Sequence, residues 1–556
     1  MQLNILDRAI AAVAPAWAAD RKLARARMDL MGALDGLLPQ TSTSASMDGA
    51  TSTTHHPASA PSGSAGRWWR PLARDARADT MHLLPGQRGA SRELVRTSPI
   101  AAGAINTNVD RVVGTGLALS AQPNRAVLGW SLEQALEWKA ITQREFSMWA
   151  DSPECDIEGL LSFFQMQSLT LRSTLESGDA FTLLPDGERT ATQPYALRLQ
   201  LLEADRAGNP NGTPDTATVA GGIRLGPNGA AQAAYIYDQH PGGWQVGTGT
   251  GLYKGQWVDF VGPSGRRRLL HHYRKLRPGM LRGVPYLAPI VDCIKQISRY
   301  TEAEIMAAVI TSYLTVFIET PGGSSAPIFD GVAPEGGAPA EVGLGMGAVV
   351  GLAPGEKATT VNPARPNPNF EPFLLGVMTQ IGMALGIPRE LLIKQFTSSY
   401  SASKAALLDA WVYFRNVRQW LALSFCQPVY ETWLAEAVAI GRIKAPGFFS
   451  DPLMRWAYTR AAWPGDSMGS INPKDEVAAY VAAIDARLMT RERAEWELWG
   501  TDFNETFDQK QGEQERLRRA NLLPTPKAGA AAPQDVPGEP PEPDDEGRED
   551  LEDSTA

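Results

Sequence analysis

The chain has 556 residues, 43% hydrophobic and 20% charged, with 52 Gly and 41 Pro: long enough for three or four average domains or one large multi-part subunit, and rich in turns. Its net charge of −9 sits in one place, because residues 535–553 hold ten acids and one Arg, and setting these aside from 61 acids and 52 bases leaves 51 of each. A neutral body excludes a nucleic-acid binder built on net charge, so any DNA contact has to come from local patches or from repetition of the subunit in an oligomer.

In chain order, residues 1–40 begin with an Ala-rich amphipathic stretch that mixes Asp with Arg and lacks the apolar core of a signal peptide. A helix docking on another protein fits it better than a surface-lying membrane helix. Residues 41–66 are Ser, Thr, Ala and Gly with His55 and His56 among them, a composition that cannot repay ordering and reads as a flexible linker. Order is expected to resume near "RWWRPLARDARAD". Further on, Ser98 is a candidate N-cap with Pro99 at the first helical position and Gly114 to Gly116 as the stop. Residues 131–178 read as a further helical segment.

From "GDAFTLLPDG" to "GQWVDFVG", short alternating runs split by Gly, Pro, Asn and Asp read as an antiparallel β section. Residues 266–282 then carry seven Lys or Arg and no acid. Two readings compete for this run: a patch facing DNA or a partner, and a solvated rim whose arginines pair with acids on a neighbouring subunit, which is favoured. A helix over 285–318, roughly 50 Å long, is expected from the apolar stripe Ile290, Ile294, Ile297, Ile305, Val309 and Tyr313. Its most apolar part, 305–318, is shorter than the ~18 residues of a membrane span and reads as buried helix. A Gly/Pro-rich segment with a β-like "GAVVGLAP" follows, then a helix ended by Gly386 and Pro388. After the polar loop 393–401, with Ser403 as expected N-cap, a long helix kinks near Pro428. Residues 472–520 are helical again, and the acidic, Pro-rich tail is too polar to fold.

Chemistry has little material. "GLAPGEKATT" places Glu356 between the last Gly and Lys357 and so is no phosphate-binding loop; neither GxSxG nor HExxH occurs. Glu302 with Glu304, and Asp544 with Asp545, read as solvated surface or tail. His82 and His240 are scattered singly, while His271 and His272 are neighbours on an expected strand end, point to opposite faces and cannot share a metal. Cys155, Cys293 and Cys426 are more than a hundred residues apart, which implies neither a zinc site nor a disulfide framework and suits a reducing cytosol. No enzyme, cofactor or metal is expected.

Five stretches carry a resemblance: "ILDRAIAAVAPAWAADRKLARAR", "RELVRTSPIAAGAINTNVDRVVGTGL", "RPGMLRGVPYLAPIV", "GIPRELLIKQFTSSYSASKAALLDAWVYFRNVRQWLALSFCQPVYETWL" and "INPKDEVAAYVAAIDARLMTRERAEWELWG". Together they resemble the lambda-type portal family of tailed bacteriophages; the long linker at 41–66 departs from it. The resemblance implies an α+β portal fold: an α/β wing (67–284), two stem helices (285–320 and 368–388) around a clip (321–367), a tunnel loop with a long kinked wing helix (389–440), a helical crown (441–520) and a disordered tail (521–556). It implies a ring, typically a dodecamer, at one capsid vertex of the virion, assembled in the host cytoplasm, through which double-stranded DNA is packaged and ejected. Implied partners are the terminase large subunit, the major capsid protein and scaffold, and a head–tail adaptor, with no membrane. By the same analogy Lys394, Gln395, Phe396, Thr397, Ser398, Ser399 and Tyr400, with Lys404 beside them, would face DNA. Arg274, Lys275, Arg277 and Arg282 would sit where wing meets stem. The competing reading is another head–tail connector or capsid-associated protein without a DNA channel.

Overall fold

A computed structural model describes residues 73–243, 253–312, 316–319, 357–360, 369–396, 399–467, 473–499 and 503–520. The expected N-terminal helix, the linker, "GAVVGLAP", Tyr313, Thr397, Ser398 and the acidic tail lie outside them.

The first helices begin where side chains can cap them. Asp75 accepts from Ala78 N at 2.7 Å to open α1 (Ala76–Thr80). After α2 (Leu84–Thr97), Ser98 caps α3 (Pro99–Val112), and Gly114 turns the chain at φ +58°, as the sequence suggested. The single helical segment expected over 131–178 is two helices. Strand β1 (Ser120–Ala121) and the short α4 (Arg125–Leu128) lead into α5 (Leu132–Ala150), and α6 runs Phe163–Ser177. Both long helices open on reciprocal Ser/Gln caps, Ser131 with Gln134 and Ser162 with Gln165, and the second of these marks a start inside a pattern that hydrophobic spacing alone makes continuous.

The strands of the β section pair antiparallel. Strand β2 (Asp179–Leu183) is flanked by β3 (Gln200–Glu203) and β8 (Leu269–Tyr273). A second sheet runs β4 (Val219–Ala220), β5 (Ile223–Leu225), β6 (Ala231–Tyr237) and β7 (Gly255–Asp259) in sequence order. Phe181, Leu202, Ile223, Ile236, Leu269 and Leu281 fill one core. The larger core is aromatic: Phe146 meets Trp433 edge-on at 5.1 Å and Phe163 stacks on Phe425 at 5.4 Å, so α5 and α6 are cemented to the C-terminal half of the long helix.

The expected stem helix is shorter than its stripe. Past a 3₁₀ turn at Ala288–Ile290, α7 spans Val291–Ser312, about 33 Å rather than 50. The β-branched and aromatic residues of Val316–Glu319 form β9, paired antiparallel with β10 (Lys357–Thr360). Nor is the stripe uniformly buried. Ile290, Ile294 and Ile297 face the core, whereas Ile305 is 59% and Val309 45% exposed. Helix α8 (Phe370–Leu385) packs beside α7 through Tyr300 and Phe373, rings 4.8 Å apart, and ends at Gly386 with φ +67°, as expected.

After α9 (Arg389–Ile393), α10 covers Tyr400–Leu421, starting earlier than the expected cap Ser403 because Ser399 accepts from Ala402 N. Near Pro428, where a kink is expected, a π turn, Ala422–Cys426, leads into α11 (Gln427–Ala439). Pro428 has no N–H to offer the preceding turn, and the widened turn accommodates that loss. Helix α12 (Pro452–Thr459) and β11 (Ala461–Ala462) return to the body, β11 pairing with β1, before α13 (Pro473–Asp485), α14 (Arg491–Trp499) and α15 (Phe503–Arg519) begin. No helix of the described residues is long and apolar enough to cross a membrane.

Candidate functional site

Two places carry the sequence's candidate residues: the loop after α9 and the basic run before α7. Buried Leu391 and Leu392 anchor α9 to the core, and Lys394 ends that helix in the left-handed region at φ +53°, its N–H bonded to the Glu390 carbonyl. A non-glycine residue there costs about 1 kcal/mol, so the turn is imposed by the anchors on either side. It leaves Lys394, Gln395 and Phe396 exposed, and Ser399 caps α10. Lys394 has no ion pair among the described residues. Tyr400 and Lys404 belong to α10 rather than to the loop. The charge of Lys404 is already met, its Nζ lying 3.0 Å from Oε1 of Glu476 on α13. Lys404 is therefore not a free cation in the single chain.

The basic run resolves into residues with different tasks. Arg282 is 2% exposed, and its guanidinium binds Asp179 and donates to the carbonyls of Ala207 at 2.9 Å, Gly221 at 2.6 Å and Ala204 at 2.5 Å. Asp179, 0% exposed at the start of β2, also takes Arg88 Nη2 at 2.7 Å and His271 Nε2 at 2.9 Å. Arg88 continues to Asp205 at 3.2 Å and to the Ser177 carbonyl at 2.9 Å. One carboxylate on β2 thus ties α2, the neighbouring strand β8 and the chain leading into α7. Burial would push the Asp179 carboxyl up, but Arg282 and then Arg88 outweigh it and hold it far below the carboxylate range. Burial pushes His271 down, only partly offset by Asp179, and pushes His272 down to about 3, helped by the neighbouring His271. The two histidines do point to opposite faces: His272 meets Thr182 Oγ1 at 2.8 Å. Glycines allow the close approach, since a Cβ on Gly283 would sit 1.9 Å from the Gly178 carbonyl oxygen.

Arg277 pairs with Asp79 at 2.5 Å, Arg266 with Asp186 at 2.6 Å, and the Arg274 guanidinium lies 5.8 Å from the Tyr413 ring centre, while Lys275 is exposed. For Arg266, Arg277 and Arg282 the favoured reading, acids on a neighbouring subunit, gives way to acids of the same chain. Sequence reasoning missed Asp179 and Arg88. The available signal was an acid opening the apolar strand "DAFTL", since a buried carboxylate demands a cation.

Glu203, Asp205 and His240 bring ligand atoms within 4.8 Å of one another. Asp205 is committed to Arg88 and to Arg92 at 2.5 Å, two cations that oppose a metal ion. Burial pushes the Cys155 thiol up to about 12 and Cys426 up as well, leaving both unreactive.

Residues 62–418 match the family described as phage portal protein, lambda family. The chain belongs to that family. Portal protein B of Escherichia phage lambda and the portal protein of Escherichia phage N15 are each 25% identical over 490 residues, covering 84% of this portal chain and 90% of theirs. Among solved structures, a chain from the neck of a native gene transfer agent particle, computed with C12 symmetry, aligns with 73% of this chain and 92% of its own at 11% identity and a TM-score of 0.41. The family is structural rather than catalytic. Its matched span takes in the Asp179 hub, α7, α8 and the 394–399 loop.

Proposed function

We propose that copies of this portal chain close into a ring, about a dozen strong, at one vertex of the capsid, and that double-stranded DNA enters and leaves the virion through its centre. The observation that carries the reading is the family match over residues 62–418, a stretch that includes α7 and α8. Exposed apolar residues support self-association: Ile305, Met306 and Val309 on α7, with Phe373 and Met383 on α8, lie open on the single chain. In the ring α7 and α8 form the stem, and the segment between them the clip where the terminase large subunit docks and a head–tail adaptor later replaces it. The helices α13–α15 form the crown, and the major capsid protein and scaffold surround the wing during assembly in the host cytoplasm.

The loop's task is to pass a moving polyanion without gripping it. A neutral body suits that, and repetition turns Lys394 into a ring of single charges while Gln395 and the Ser hydroxyls offer sequence-blind contacts. Native mass measurement with negative-stain images of the purified protein tests the proposal. A closed ring with a central hole is expected, and Ile305→Glu should leave a folded but unassembled chain. A compact monomer that stays single when co-expressed with capsid and scaffold proteins would refute it.

A further inference from the structure

We propose that a cleft between α11 and the β section is the seat of this chain's own acidic segment, residues 535–553. The cleft, of about 980 Å³, is lined by α11, by the turn after β2 and by the hairpin joining β7 to β8, in which Val261 bridges Arg267. Phe449 and Arg455, just before and within α12, complete the lining. Four arginines meet here. Arg266 is held by Asp186 at 2.6 Å and Arg189 by Glu436 at 2.9 Å. Arg267 and Arg455 are exposed and have no ion pair among the described residues. The remaining acidic capacity of the cleft is engaged elsewhere, since Glu436 also accepts from Leu197 N at 2.9 Å and Glu431 from Gln427 Nε2 at 3.1 Å. Two cations are left to be answered from outside the described fold.

Beside these cations stand two apolar side chains open to water, Phe449 at 66% and Val261 at 49% exposure. A segment that joins prolines to acids suits both features: prolines dock against aromatic rings from an extended conformation at low ordering cost, and carboxylates fit the guanidinium fork. Residues 535–553 have that composition, with Pro537, Pro540, Pro541 and Pro543 leading into Asp544, Asp545 and Glu546, and they hold all the net negative charge of the chain. Fifteen residues run from Asn521, just past the last described residue, to Asp535, the first acid of the segment. They span about 50 Å at full extension. Tethering of this kind raises the local concentration of the acids to about the millimolar range, so a few exposed ion pairs, each worth only about 0.2–1 kcal/mol, suffice to keep the segment in place.

Hydrogen exchange on the full-length protein at low salt tests the seat. The cleft offers bonded amides as reporters, Gly262 N to the Arg266 carbonyl at 2.8 Å and Asp451 N to the Gly447 carbonyl at 3.0 Å. Neutralising the segment by D544N, D545N, E546Q, E549Q and D550N should raise exchange over residues 261–267 and 449–455 by about two- to five-fold, the range carried by an exposed pair. Salt at about 1 M, where the Debye length is about 3 Å, should do the same to the original protein and nothing further to the variant. The segment itself is read by a glutamate-specific protease: Arg267→Ser with Arg455→Ser should speed its cleavage at Glu539–Glu552 several-fold. Should that double variant fail to fold, the neutralised segment still decides, because its substitutions lie outside the described fold. Equal exchange in the cleft with the segment charged or neutral would overturn the proposal. Protection of the same residues by an added DNA duplex, without any protection from the segment, would assign the cleft to nucleic acid and overturn it as well.

Discussion

Replacing Asp179 by Asn removes one negative charge and almost no volume, and it is the sharpest test of how the first sheet is joined to α2 and to the chain leading into α7. Arg282 and Arg88, 2% and 6% exposed, would be left facing the same buried point without a counter-charge. Breaking a buried ion pair from one side costs about 3–5 kcal/mol, a large share of the roughly 5–15 kcal/mol that holds a domain together. At about 2–4 °C per kcal/mol for a body of this size, the first thermal transition of Asp179→Asn should fall by roughly 10 °C, while ring assembly at low temperature persists. Scanning calorimetry of both proteins across pH reads the effect. The sign is set by the depressed folded-state pKa of Asp179: its contribution is fully present above the unfolded value near 3.9 and lost only as pH falls below it toward the folded value. The gap between the two proteins should therefore stay constant from neutrality down to about pH 4 and close only in stronger acid. A Tm within a degree or so of the original at neutral pH would refute the assignment of the hub to this carboxylate.

His272 should set the acid sensitivity of the body at milder pH. Its folded pKa, about 3, lies below the unfolded value near 6.5, so stability is complete above about 6.5 and falls by up to about 1.4 kcal/mol per pH unit below it. Denaturant titrations near neutrality and near pH 5 should show that fall in the original protein and a flatter profile in His272→Gln. Gly283→Ala should destabilise by about 2 kcal/mol or more, because its Cβ would run into the Gly178 carbonyl. Gly279→Ala, where only φ +79° opposes a side chain, should cost about 1 kcal/mol, and equal losses in urea unfolding would show that the close approach is unimportant. Lys394→Gly should keep or raise Tm by relieving the left-handed strain, and should reduce the steepness with which salt weakens DNA retention by the ring; an unchanged salt dependence would show that Lys394 does not meet phosphate.

The features legible in the sequence are those decided within a few residues. Ser98 with Pro99, and Gly386 after α8, announce helix ends because capping and left-handed turns are local chemistry, and alternation split by Gly and Asn announces antiparallel strands for the same reason. The family resemblance is legible too and names the family that matches over residues 62–418, although two of the five stretches that carry it lie outside that span. The seam between α5 and α6 is marked by Ser162 and Gln165, yet apolar spacing alone runs straight through it.

Tertiary structure alone decided where charges and apolar faces are answered. Arg282 reads like its neighbours in a basic run, yet it is buried against Asp179, 103 residues away. Lys404 reads like a free cation beside a polar loop, yet Glu476 meets it from 72 residues on. Along α7 the stripe from Ile294 to Val309 looks continuous, but its first part faces this chain's core and its second lies open. Periodicity records that a face is apolar, and sign records that a group is charged. Neither records the partner, because burial and ion pairing depend on which distant segments the fold brings within a few ångströms.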